Sequence, residues 1–180
     1  MAVTMIRQNI IRRLLYLRNW EFINIFFLPA CLYSALTSLK VQDWQPYVYG
    51  MFVICSILAQ GVFYWHLKLQ VVRKKETALP VYFNRLFSLF KWTIVVLLSI
   101  YPVLVICGPI TSFIIFRVSV WSNAIFLFAI LEYINYYHYQ LSHDNLNDIR
   151  FLMKHKKLRR SPLNVDLQKN QGQSRKQTAG

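Results

Sequence analysis

Apolar residues in this chain fall into blocks. Four runs, at about 22–39, 47–67, 87–107 and 118–139, each approach the roughly 20 residues that an α-helix needs to cross about 30 Å of hydrocarbon. A soluble domain of 180 residues would distribute its apolar positions periodically around one shared core. The blocks predict an all-α membrane protein, a four-helix transmembrane bundle with cytoplasmic amphipathic N- and C-terminal arms. Pro29 and Pro102 lie inside the first and third runs. A membrane helix tolerates them where neighbouring groups re-satisfy the freed carbonyl. Asp43, Trp44 and Pro46 supply a turn before the second run, and Gly108-Pro109 ends the third. The apolar stretch 110–116 is too short to span and reads as an interfacial segment or an extension of a neighbouring helix.

The segments outside the runs have their own pattern. In residues 1–21, Ile6, Ile10, Leu14 and Leu17 share one helical face and arginines fill much of the rest, as in a basic amphipathic helix lying on a membrane surface. The arginine-rich start lacks the serines of a mitochondrial presequence. Leu28-Pro29-Ala30-Cys31 resembles a lipoprotein signal box but carries an unusual proline. Residues 140–160 place Leu146, Ile149 and Met153 at helical spacing among basic side chains, which suits either a continuation of the fourth helix or a second surface arm. Residues 161–180 are rich in Gln, Asn, Ser and Lys, with too little apolar surface to offset the entropy of ordering; disorder is the expectation.

Charge orients the four spans. Four basic residues lie in the N-terminal arm, six between Lys68 and Lys91, and nine from Arg150 onward; only Lys40 and Arg117 fall on the opposite side. The positive-inside bias places both termini in the cytoplasm of a multi-pass cell-membrane protein, and four spans satisfy that parity. The net charge of +14 alone would also suit nucleic acid, but the cations cluster beside apolar runs and no recognition module is visible. Arg12, Arg13, Arg73, Lys74, Lys75, Lys156, Lys157, Arg159 and Arg160 are therefore the expected contacts to anionic lipid headgroups. Trp20, Trp44, Tyr47, Tyr49, Trp65, Trp92 and Trp121 lie near predicted span ends, where amphipathic rings prefer the interface.

Glu132 is the only carboxylate inside the four runs, and an ionisable side chain at membrane depth is a functional-site hypothesis by default. At about 100° per residue, Asn135, Tyr136, Tyr139 and His143 join it in one polar stripe running toward the cytoplasm. Ser56, Gln60 and Tyr64 form a matching stripe on the second span, and Asn24 lies near the same end of the first. Equal depth makes Gln60 the expected hydrogen-bond partner of Glu132. The stripe reads either as helix-packing glue or as a ligand or proton site comprising Glu132, Asn135, Tyr136, Tyr139, His143, Gln60 and Tyr64.

Other chemistry is sparse. Cys31, Cys55 and Cys107 lie in apolar runs without metal-ligand spacing and read as small packing residues. The four histidines are too few for the repeated boxes of membrane metal-oxygenases. There is no phosphate-cradling Gly-rich loop, zinc-protease motif or nucleophile elbow. No cofactor or metal site is expected. The leading expectation is a non-catalytic subunit, assembly partner or stress-related membrane component, with a membrane-protein partner or homo-oligomer. Alternatives are an oligomeric proton- or cation-linked transporter or channel centred on Glu132, and a haem- or metal-binding membrane enzyme using His66, His138 and His143.

Overall fold

The computed structural model describes residues 2–75, 79–107, 119–141 and 158–178. Within them the chain is all-helical: α1 (Ala2–Ser38), α2 (Gln45–Lys74), α3 (Phe83–Cys107), α4 (Val120–Tyr137) and α5 (Pro162–Thr178). Three of these, α1, α2 and α3, are long and apolar enough to cross a membrane. Helix α4 has only 18 residues and carries Asn123, Glu132, Asn135 and three tyrosines. The stretch 110–116 lies outside the described residues.

Helix α1 departs from the sequence expectation. The N-terminal arm and the first span are not separate elements: one 37-residue helix runs through both. No glycine or proline near position 21 provides a break, and the Asn19 side chain accepts from Arg18 instead of capping a helix. At 1.5 Å per residue this helix is about 55 Å long, well beyond the roughly 30 Å of a hydrocarbon core. It packs antiparallel to α2 along its length. Tyr33 meets Trp44 edge-on at one end, with ring centroids 5.8 Å apart. At the other end, Arg7 donates from Nε and Nη2 to Val72 O (3.1 and 2.9 Å) and from Nη2 to Arg73 O (2.6 Å). Those carbonyls sit in the last turn of α2, where no intrahelical donor remains for them. The arginine thus satisfies orphan acceptors and places a cation at the negative end of the helix. This contact pins the arm to α2, so of the predicted apolar face Leu14 is buried while Ile6 and Ile10 stay exposed.

Helix α2 is the central element, with α1, α3 and α4 packed around it. Pro46 opens it in the first turn, where a missing N–H costs nothing. Gly50, Ile54, Ile57, Gly61 and Tyr64 recur at alternating spacings of four and three and are all buried. Opposite them, Ser122, Ala129 and Tyr136 of α4 recur every seven residues and are buried too. The two helices run parallel, with Tyr47 bonded to Ser119 at one end (2.6 Å) and Gln60 to Tyr137 at the other (2.6 Å). Small residues at such a seam let helix backbones approach closely. At Gly50 an added Cβ would come within 2.9 Å of Ile125 Cγ2. Helix α3 joins through an aromatic cluster of Phe63, Tyr64, Phe83, Phe87 and Phe90.

Both internal prolines sit within continuous helices. Pro29 cannot donate to Ile25 O, and the Cys55 thiol of α2 points a weak S–H donor at that carbonyl (3.7 Å). In the turn before Pro102, the Tyr49 hydroxyl donates to Leu97 O (2.7 Å).

The C-terminal region also differs from expectation. Of the two readings of residues 140–160, continuation of the fourth helix does not hold, since α4 ends at Tyr137; residues 142–157, where a surface arm would run, lie outside the described residues. Gln140 N–H donates to Arg159 O (2.8 Å) and Ser161 N–H to His138 O (3.1 Å), closing a short antiparallel bridge. Residues 162–178 are helical where composition predicts disorder. Composition misses the local signal here. Ser161 is an N-cap, accepting from Asn164 N–H (3.2 Å), and Pro162 follows at the first helical position. Leu163 then inserts into the main core.

Replacing Arg7 with Ala is expected to destabilise the last turn of α2 by about 1 kcal/mol, the scale of a part-exposed charge-assisted bond. Faster amide exchange confined to residues 71–75 would show it; unchanged exchange there would contradict the capping role.

Candidate functional site

The polar groups of the helices gather in a layer around Gly61. Glu21 of α1 and Tyr136 of α4 reach this glycine from two sides, and a Cβ at Gly61 would collide with both Glu21 Oε2 and the Tyr136 ring and hydroxyl. The Trp65 indole of α2 donates to Glu21 Oε1 at 2.6 Å. The second oxygen, Oε2, is buried beside Tyr136 without completing a hydrogen bond of good geometry. Glu132 lies one turn before Tyr136, within electrostatic range of Glu21, and bonds to the Asn135 side chain. Two carboxylates from two helices thus lie within electrostatic range of each other, about a turn apart along the bundle.

Of the predicted stripe, Glu132, Asn135 and Tyr136 fall in or beside this layer. Asn135 also fixes the chain beyond α4, accepting from Leu141 N–H at 2.8 Å. Gln60 does not pair with Glu132. Its Oε1 accepts from Tyr137 (2.6 Å), which is 2% exposed. The physical reason is the seam: packing Ser122, Ala129 and Tyr136 against α2 turns Tyr137 toward Gln60. Tyr139 is exposed and engaged in the bridge to Arg160. Tyr64 belongs to a second cluster described below. His143, Lys156 and Lys157 lie outside the described residues. The histidines do not converge: His66 Nε2 bonds to Gln70 (2.9 Å), and His138 packs edge-on against Tyr133. Among the described residues no group of three or more His, Cys, Asp or Glu side chains is arranged to hold a metal.

The second cluster sits one turn further along α2. The Tyr64 hydroxyl donates to Asp166 Oδ2 of α5 (2.6 Å), and Lys68 Nζ donates to the same oxygen (2.7 Å) and to Tyr64 Oη (3.0 Å). Ser161 is fully buried beside it and donates to Tyr136 O (2.5 Å), linking α5 to the Gly61 layer. The basic residues expected to meet lipid frame this end: Arg73, Lys74 and Lys75 are exposed at the end of α2, and Arg159 and Arg160 precede α5. Arg12 and Arg13 lie exposed on α1.

Two open apolar clefts, of about 290 and 350 Å³, flank the opposite half of the α1–α2 hairpin. Neither includes Glu21, Glu132 or Gly61. Around Gly61 the polar layer is closely packed.

Sequence reasoning missed Glu21 because it borders the first apolar run, beside Asn19 and Trp20. The signal for it lies on α2: Gly50 and Gly61 are eleven residues apart, three helical turns, and so mark one face of close approach.

Double-mutant cycles separate the two pairings. Gln60→Ala with Tyr137→Phe should show a coupling of about 0.6–2 kcal/mol in thermal unfolding. Gln60→Ala with Glu132→Ala should show almost none, and the reverse order would refute this geometry. Compared against protein families, curated proteins and solved structures, the chain finds no match in any of the three.

Proposed function

We propose that this chain is a non-catalytic integral membrane protein that acts as a small subunit or assembly partner. It crosses the cell membrane four times, with α4 as the short fourth span and both termini in the cytoplasm. The observation that carries this reading is how the polar side chains of the helices are used. Tyr47, Tyr49, Gln60, Trp65, Tyr101 and Tyr137 each bond to a group on, or capping, another helix. Such groups act as glue between helices in a medium that offers no water. Large exposed apolar side chains on α1, α3 and α4, among them Phe26, Phe27, Trp92, Val96, Ile106 and Leu127, support a lipid-facing exterior. The basic end carries Arg7, Arg73, Lys74, Lys75, Arg159 and Arg160, which supports its placement at an anionic cytoplasmic leaflet and anionic headgroups as its contacts.

Labelling of single cysteines in intact cells tests the topology, on a background lacking the native ones. A cysteine at Asp43 should react with an impermeant maleimide from outside, and one at Lys169 only after lysis. Reaction of both from the same side contradicts the four-span arrangement.

One observation favours a second reading, an oligomeric proton- or cation-linked transporter or channel. Glu21 is a buried carboxylate held between Trp65 and Tyr136, with Glu132 within electrostatic range. That shifts the centre of such a site from Glu132 to Glu21. In proteoliposomes a transporter would lose flux on Glu21→Gln; absence of flux in the unaltered protein favours the subunit reading.

A further inference from the structure

Tyr64 and Lys68 stand one turn apart on α2 and direct two donors at one oxygen. Tyr64 is 1% exposed, and its hydroxyl is engaged by Asp166 Oδ2 and Lys68 Nζ. The Lys68 side chain is 31% exposed and the Asp166 side chain 16%, so the cradle opens at the molecular surface. A phenol and an ammonium converging at 2.6 and 2.7 Å form a charge-assisted site for any oxyanion, carboxylate or phosphate alike.

The surroundings select for such a ligand. Arg73, Lys74 and Lys75 continue α2 beyond the cradle, Arg7 lies against the same helix end, and Arg159 and Arg160 lead into α5. Asp166 is the only acidic residue of α5. On the membrane reading proposed above, on which this inference rests, Trp65 marks the interface and the cradle lies at headgroup level, where anionic lipids concentrate phosphates that no headgroup ammonium pairs, unlike the phosphate of phosphatidylcholine.

We propose that the Tyr64–Lys68 cradle is a phosphate-binding site that Asp166 occupies in the absence of ligand, and that a phosphate oxygen displaces this carboxylate and loosens α5 beyond its first turn. The first turn has anchors of its own, Ser161 bonded to Tyr136 O and Leu163 seated in the core. A part-exposed ion pair contributes little net stability, so an incoming phosphate at high local concentration competes on even terms.

Hydrogen exchange over residues 162–170 of the full chain tests this in three preparations: phosphatidylcholine vesicles, the same vesicles with phosphatidylglycerol, and phosphatidylcholine vesicles with added inorganic phosphate. Residues 166–170 should exchange about tenfold faster with phosphatidylglycerol than with phosphatidylcholine alone. Acceleration by inorganic phosphate as well would identify a soluble phosphate as a sufficient ligand. Asp166→Asn should make exchange fast in every preparation, and Lys68→Gln should abolish the response to anionic lipid. Identical protection in all three preparations overturns the proposal, as does an undiminished lipid response in Lys68→Gln. A chain that fails to float with vesicles overturns the membrane reading instead; the phosphate arm, run in detergent, then decides the cradle alone.

Discussion

The close approach at Gly61 is the constraint on which this fold depends. A side chain there would collide with Glu21 of α1 and Tyr136 of α4, so its absence lets three helices meet at one level. The consequences propagate in both directions. Toward one end, the seam of Gly50, Ile54 and Ile57 against Ser122 and Ala129 keeps α2 and α4 close and parallel. Toward the other, Tyr136 offers its backbone carbonyl to Ser161, which caps α5 and seats Leu163 in the core. The C-terminal helix is thus positioned by the same junction that joins the membrane-type helices.

Polar groups in this bundle are costly unless bonded, and the chain meets that cost by pairing them between helices. Trp65 with Glu21, Tyr137 with Gln60, and Tyr64 with Asp166 are three pairings within two turns of α2. Each ties α2 to a different neighbour: α1, α4 and α5. These pairings explain why α2 is the most buried helix while α1 and α3 leave most of their surface exposed. They also separate two kinds of chemistry. The Glu21 level is packed and held within the bundle, whereas the Asp166 level opens at the basic surface.

How much of this was legible in the sequence depends on the scale of the signal. Apolar runs of about 20 residues disclosed the helical character of the described residues and their membrane-spanning candidates, because burial in lipid needs length and composition alone. The continuity of α1 was not legible from runs: arginines at positions 12, 13 and 18 lower the apolar character without breaking a helix. Glu132, Asn135 and Tyr136 were found by helical phase, yet phase alone could not say that Tyr137 rather than Glu132 would reach Gln60. That choice is made by the heptad seam, a relation between two helices. Ser161-Pro162 was readable as a helix start, but the bulk composition of residues 161–180 outweighed it. Asp166 was invisible as a partner of Lys68 because the two lie 98 positions apart in sequence.

The junction at Gly61 is tested most directly by a double-mutant cycle between Gly61→Ala and Glu21→Ala, read by thermal unfolding in detergent. If the Glu21 carboxylate occupies the space that a Cβ at position 61 would need, Gly61→Ala should cost about 1–3 kcal/mol in the native background. It should cost clearly less once Glu21 is truncated, with a coupling of about 0.5–3 kcal/mol. Equal costs in the two backgrounds would show that the two residues do not meet, and would contradict this account of the bundle.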